Sequence, residues 1–183
     1  MKTIPLSKSY VALVDDSDYE QVSQYKWYAI EDRRKDGSLW NVYAGRKVRK
    51  PDGAQTTQLL HRFIMNVSDP KIQVDHRDSD GLNNQRENLR LATHVQNQGN
   101  ARKRANASSK FKGVHWRKRF KKWIAQIQID GKRKHLGYFF SEIEAALAYD
   151  AAAREYFGEF CLCNFPPKMP PQSVEKQDLT TAA

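Results

Sequence analysis

Near the N-terminus, apolar and polar positions alternate in Tyr10–Val14 and again in Lys26–Ile30, with the polar stretch Asp15–Tyr25 between them. Alternation with period two puts successive side chains on opposite faces of a strand, so both segments read as half-buried strands joined by a short helix. Trp40–Arg46 and Thr57–Leu60 bracket Pro51-Asp52-Gly53. Proline fixes φ and glycine tolerates positive φ, so this pair predicts a hairpin. Leu60–Met65 reads as a short helix or the end of a strand. Further along, Ile72–His76 and Glu87–Ala92 are short strands separated by Arg77–Gln85, a loop of Asp, Ser, Gly and Asn. Thr93 and Gln96 form a capping box, which starts a helix near His94 and places Asn97 in its first turns.

A second block follows the same logic. Lys112–Arg117, Trp123–Ile129 and Lys134–Phe139 read as three antiparallel strands, the last two joined at Asp130-Gly131, a hairpin-turn pair. Ser141 and Glu144 make another capping box. The helix that follows runs through Ala145–Tyr156 and stops at Gly158, and its many alanines allow close approach to a sheet. The predicted fold class is therefore α+β. An N-terminal β-rich segment (1–66) leads into a ββα unit (67–104). A three-stranded antiparallel sheet packed on one helix (109–165) comes next, and then a proline-rich tail (166–183) expected to be disordered.

Charge sharpens this picture. The 183 residues carry a net charge of +10. Residues 101–135 alone hold thirteen Lys or Arg and one acid, Asp130, so this window is +12 and the remainder of the chain is −2. A focused positive field with interleaved aromatics (Phe111, Trp116, Phe120, Trp123) points to a polyanion, here a nucleic acid. No stretch approaches the roughly 20 apolar residues that span a bilayer, and the N-terminus lacks the apolar run of a secretory signal. The expectation is an intracellular, cytoplasmic protein, a monomer with no obligate protein partner. Its two cysteines, Cys161 and Cys163, are expected as reduced thiols.

Beside the basic window stands a set of groups suited to phosphodiester hydrolysis. Asp75 offers a hard carboxylate ligand and Asn97 an amide oxygen, which suit Mg²⁺ or Mn²⁺. His76 titrates near working pH and can take a proton from water. Asn88 can hold that imidazole in one tautomer through its side-chain carbonyl. Strand alternation points Asp75 and His76 to opposite faces, so both reach one site only if the strand is distorted locally.

Two resemblances follow from particular residues. The run from Val74-Asp75-His76 through Asp80-Gly81-Leu82-Asn83-Asn84 to Glu87-Asn88-Leu89-Arg90 resembles the HNH endonucleases, in the H-N-N variant of phage and intron-encoded homing enzymes. The likeness covers about 60–104. It implies a ββα-metal site with His76 as general base, Asp75 and Asn97 as ligands, and Asn88 as the middle motif residue. Many relatives carry a metal-binding His where this chain has Asn97, and His94 and Asn100 are the neighbouring alternatives. The second likeness rests on Phe111-Lys112-Gly113-Val114, Trp123-Ile124-Ala125, Leu136-Gly137-Tyr138-Phe139, the Ala145–Ala152 helix and Asn164-Phe165-Pro166. These resemble the AP2/ERF DNA-binding domain. That family lays its sheet in the major groove, which implies a DNA face of Lys112, His115, Arg117, Arg119, Gln126, Gln128, Arg133, His135 and Tyr138. Together the readings describe a metal-dependent, nicking DNA endonuclease. A DNA-binding regulator with an inactive nuclease site, and an RNA-binding protein, are the alternatives.

Overall fold

Lys2–Pro5 (β1) and Val11–Val14 (β2) pair antiparallel, and Asp16–Ser23 forms helix α1. The computed structural model describes residues 1–100 and 108–165. The predicted tail 166–183 and Arg102, Lys103 and Arg104 of the basic window lie outside these. The strand predicted from Lys26 begins later, at Tyr28–Arg33 (β3). The reason is Trp27, which is buried and donates its indole N–H to Val22 O at 2.9 Å, so it closes α1 instead of opening the strand. β3 pairs with Leu39–Arg49 (β4), and β4 with Gln55–Leu59 (β5), in an antiparallel meander that includes the predicted hairpin. Leu60–Ile64 is a short helix, α2.

Gln73–His76 (β6) and Leu89–Ala92 (β7) form a two-stranded sheet, and His94–Gly99 (α3) follows with both capping-box bonds made at Thr93 and Gln96. The C-terminal sheet has the order β10-β9-β8 from Val114–Arg117 (β8), Lys122–Ile129 (β9) and Lys132–Phe139 (β10). Glu142–Phe157 (α4) starts at the Ser141/Glu144 box, is capped by Gly158 and packs against this sheet. The architecture is α+β, with small antiparallel sheets and few helices.

Two apolar clusters place the β6–β7 hairpin. Val74 and Leu89 are buried with Val14, Val22, Trp27, Leu60 and Ile64 of the N-terminal segment. Ala92 is buried with Ile127, Tyr149, Phe157 and Phe160 of the C-terminal block. Removal of apolar surface from water therefore ties the hairpin to both sides. Close approach requires glycine on both sides of the hairpin: a Cβ on Gly81 would clash with Val42 O, and one on Gly99 would meet the Phe157 ring at 2.5 Å.

One expectation is corrected here. Cys161 and Cys163 are joined as a disulfide, not held as free thiols. The pair follows the 3₁₀ turn Gly158–Phe160, and its two Cα atoms stand 5.3 Å apart. That lies inside the roughly 4.4–6.8 Å a bridge requires.

Candidate active site

In the β6–β7 register Asp75 lies opposite Arg90, and His76 opposite Leu89. Directly opposed residues share a face, so Asp75 and Arg90 meet side chain to side chain. Arg90 donates to Asp75 Oδ2 from Nε at 2.9 Å and lies within 2.8 Å of it at Nη2. Asn100 donates Nδ2 to Asp75 Oδ1 at 2.9 Å and to His76 O at 2.6 Å. A carboxylate only 6% exposed is costly to bury alone, and here both of its oxygens are compensated.

His76 is the last residue of β6, and its carbonyl already accepts from Ser79 N at 2.9 Å. The strand turns there, with Ser79 in the left-handed region at φ 61°, which lets adjacent Asp75 and His76 border one cavity. Asn41 holds this turn, donating to Ser79 O and accepting from Gly81 N. Burial holds the His76 imidazole below its ordinary pKa. Asn84 and the carboxylates of Asp78, Asp75 and Asp80 pull the other way without overcoming it. Asn84 is fully buried, and its Oδ1 has no well-aligned hydrogen bond among the described residues. The His76 ring stands edge to face with His61, centroids 4.9 Å apart, and 6.0 Å from Tyr43. His61 itself is pushed down to about 3 by burial, with repulsion from His76 and Arg62 adding to it. His76 Nε2 is buried with no hydrogen-bond partner among the described residues.

Asn88, expected at the imidazole, has other partners. Its Nδ2 donates to Asp78 Oδ1 at 2.9 Å and Asn83 O at 2.8 Å, and its Oδ1 accepts from Asp78 N at 3.1 Å. β7 begins only at Leu89, so Asn88 sits on the loop side of His76's pairing partner and staples residues 78–88. The same loop is anchored to the N-terminal segment by Arg86, whose Nη2 lies 2.7 Å from Asp18 Oδ1.

Asn97 projects from α3 and donates Nδ2 to Gln73 Oε1 at 2.7 Å, which commits its amino group and leaves the carbonyl oxygen as acceptor. Both ring nitrogens of His94 meet glutamine amides, Gln73 at 3.3 Å and Gln98 at 2.9 Å. Asp75, His76 and Asn97 line one cavity of about 320 Å³, together with Tyr43, His94, Gln98 and Asn100. Asn100, an alternative to Asn97 as ligand on the sequence, is placed against Asp75 and the His76 carbonyl. Arg90, Asn84 and Tyr43 were not foreseen. Only Arg90 had a signal in the sequence, through its place opposite Asp75 once the two strands are aligned. Among the described residues no group of three or more His, Cys, Asp or Glu gathers around a point.

The C-terminal sheet sorts its polar residues by register. Gln126 pairs with His135, Gln128 with Arg133, Ile124 with both His115 and Tyr138, and Lys122 with Arg117. Pairs two apart along a strand share a face, so His115, Arg117, Gln126, Gln128, Arg133, His135 and Tyr138 lie together. The opposite face carries Ala125 and Ile127 into the core. His115 is depressed first by burial and then by Arg117, His135 and Arg133, a sign that positive charge crowds this face. Arg119 is in the turn Lys118–Phe120, exposed, with its guanidinium 5.6 Å from the Phe120 ring centroid. Lys112 departs from the expected face. It precedes the strand, and its ammonium donates to Gly99 O at 2.7 Å, where burial lowers its pKa to about 8.

Sequence comparison relates the chain to known proteins. The HNH endonuclease family profile covers residues 67–98. An uncharacterized HNH endonuclease, L560, of Acanthamoeba polyphaga mimivirus is 33% identical over 164 residues, 86% of this chain and 76% of the relative. The H-N-H endonuclease F-TflI of Escherichia phage T5 is 37% identical over 54 residues, 26% of this chain and 28% of that protein. Dehydration-responsive element-binding protein 2D of Arabidopsis thaliana is 46% identical over 63 residues, 33% of this chain and 30% of the plant protein. No solved structure matches. The chain belongs to the HNH endonuclease family and joins an HNH unit to an AP2/ERF-like domain.

Proposed function

We propose that this protein is a metal-dependent endonuclease of the homing type that nicks double-stranded DNA, with the AP2-like sheet holding the duplex. The observation that carries the proposal is the convergence of Asp75, His76 and Asn97 on one cavity. The donor chemistry fits a hard dication: one carboxylate and one amide oxygen suit an ion such as Mg²⁺ or Mn²⁺ that keeps several of its own waters. Asp75 and Asn97 would hold it. When bound, the ion supplies positive charge at the scissile phosphate and at the leaving 3′ oxygen.

The remaining work falls to the chain. Burial keeps the His76 imidazole neutral near pH 7, so it can accept the proton of an attacking water. His61 packs edge to face against the ring and Tyr43 packs against it at a tilt, and together they hold it in place. Asn88 shapes the loop that carries the site, and so acts at one remove from the reaction. On the AP2-like face, arginines can pair with guanine edges and glutamines with adenine edges, while other contacts only hold phosphate. Arg117, Arg119, Gln126, Gln128, Arg133, His135, His115 and Tyr138 are the proposed DNA contacts. Lys112 acts as a bridge to Gly99. The likeness to a plant element-binding protein also supports a second reading, a DNA-binding regulator with an inactive nuclease site. Supercoiled plasmid incubated with Mg²⁺ or Mn²⁺ separates the two: nicking that disappears in His76→Ala supports the enzyme, and a gel shift without any cutting supports the regulator.

A further inference from the structure

Arg90 orients Asp75, but Arg90 is itself held from outside the HNH unit. Its Nη1 donates to Glu159 O at 2.7 Å, and its guanidinium lies 4.0 Å from the centroid of the Phe160 ring. Both residues belong to the 3₁₀ turn Gly158–Phe160 at the end of α4, in the AP2-like block. The guanidinium is 8% exposed. One edge is spent on Asp75, one nitrogen on a backbone carbonyl and one face on an aromatic ring, so rotation about its bonds breaks at least one of these contacts. Around it, Phe157 packs on Gly99, and Leu162 N donates to Gly99 O at 3.0 Å.

We propose that Arg90, Glu159 and Phe160 form a positioning clasp through which the DNA-binding block sets the orientation of the Asp75 carboxylate. The clasp makes the nuclease site complete only when the turn after α4 is docked. Arg90 and Phe160 are positioning residues, since neither is placed against the phosphate. Groups that hold a metal ligand in place alter metal affinity or activity by about 10–100-fold when removed. The inference rests on the metal-dependent reading above.

The test measures Mn²⁺ binding to the full chain without DNA, by the loss of the free-ion electron paramagnetic resonance signal. Phe160→Leu keeps apolar bulk but removes the stacked ring. The expected result is about tenfold or more weaker Mn²⁺ binding, with unchanged circular dichroism and an unchanged DNA gel shift in metal-free buffer. Binding within twofold of wild type overturns the clasp. So does a parallel loss of Mn²⁺ and DNA binding, which marks general disruption. If Phe160→Leu does not fold, Arg90→Lys, which keeps the charge and loses the planar fork, decides by the same criteria. If wild-type protein binds no Mn²⁺ at all, the metal-dependent reading falls instead.

Discussion

Phe157→Ala tests whether the hairpin that carries the site is welded to the AP2-like block. Phe157 is 4% exposed, shares a buried cluster with Ala92 of β7, and touches the position of a Gly99 Cβ. Truncating a fully buried phenylalanine costs about 3–5 kcal/mol, as lost transfer energy plus a residual cavity. Domains of this kind have a total stability of about 5–15 kcal/mol, so the loss is a large share. If β7, α3 and α4 open together, amide exchange governed by global unfolding speeds up by a factor on the order of 10²–10⁴ throughout. Hydrogen exchange read by mass spectrometry resolves this peptide by peptide. Peptides covering 73–76 and 89–92 should accelerate along with those covering 145–157. Unchanged protection in 73–76 and 89–92 beside rapid exchange in α4 would refute the shared core, and would weaken the clasp with it.

Acid stability follows from His61. Its folded pKa of about 3 lies below its ordinary 6.5, so between these values the unfolded chain binds a proton that the folded chain refuses. Stability should therefore fall as pH drops through that window, by on the order of 4–5 kcal/mol. Urea melts should show a shallower acid limb for His61→Phe than for wild type; parallel limbs would exclude His61 as the source. On the DNA face, Arg133→Ala should weaken binding and reduce the slope of log affinity against log salt by about one if Arg133 contacts phosphate. Mn²⁺ binding should be unchanged, and an unaltered salt slope with unaltered affinity would remove Arg133 from the interface.

Much of the fold can be read locally because its signals are local. Both capping boxes, the Asp130-Gly131 turn and the Gly158 stop lie within a few residues of what they control, and each is present. The cavity-lining trio Asp75, His76 and Asn97 was legible for a similar reason, since residue type and short spacing carry it. What escaped depends on partners far apart in sequence. Asn88 looks like an imidazole partner until β7 is seen to start one residue later. Lys112 looks like a DNA contact by proximity to the strand, yet it lies before β8 and reaches back to Gly99. Arg90's contact with Glu159 and Phe160 spans about seventy residues of chain, and no spacing rule in the sequence reveals it.

The central claim is that Asp75, His76 and Asn97 form a working nuclease centre on a DNA-holding scaffold. The most direct measurement is conversion of supercoiled plasmid to open circle by wild type and His76→Ala, each with Mg²⁺ or Mn²⁺, beside a gel shift on the same DNA. Removing a general base slows the chemical step by about 10²–10⁴-fold. The expected result is metal-dependent nicking by wild type, a loss of that size in His76→Ala, and equal DNA binding by both. Intact plasmid with bound wild-type protein, or equal nicking by the two proteins, contradicts the claim.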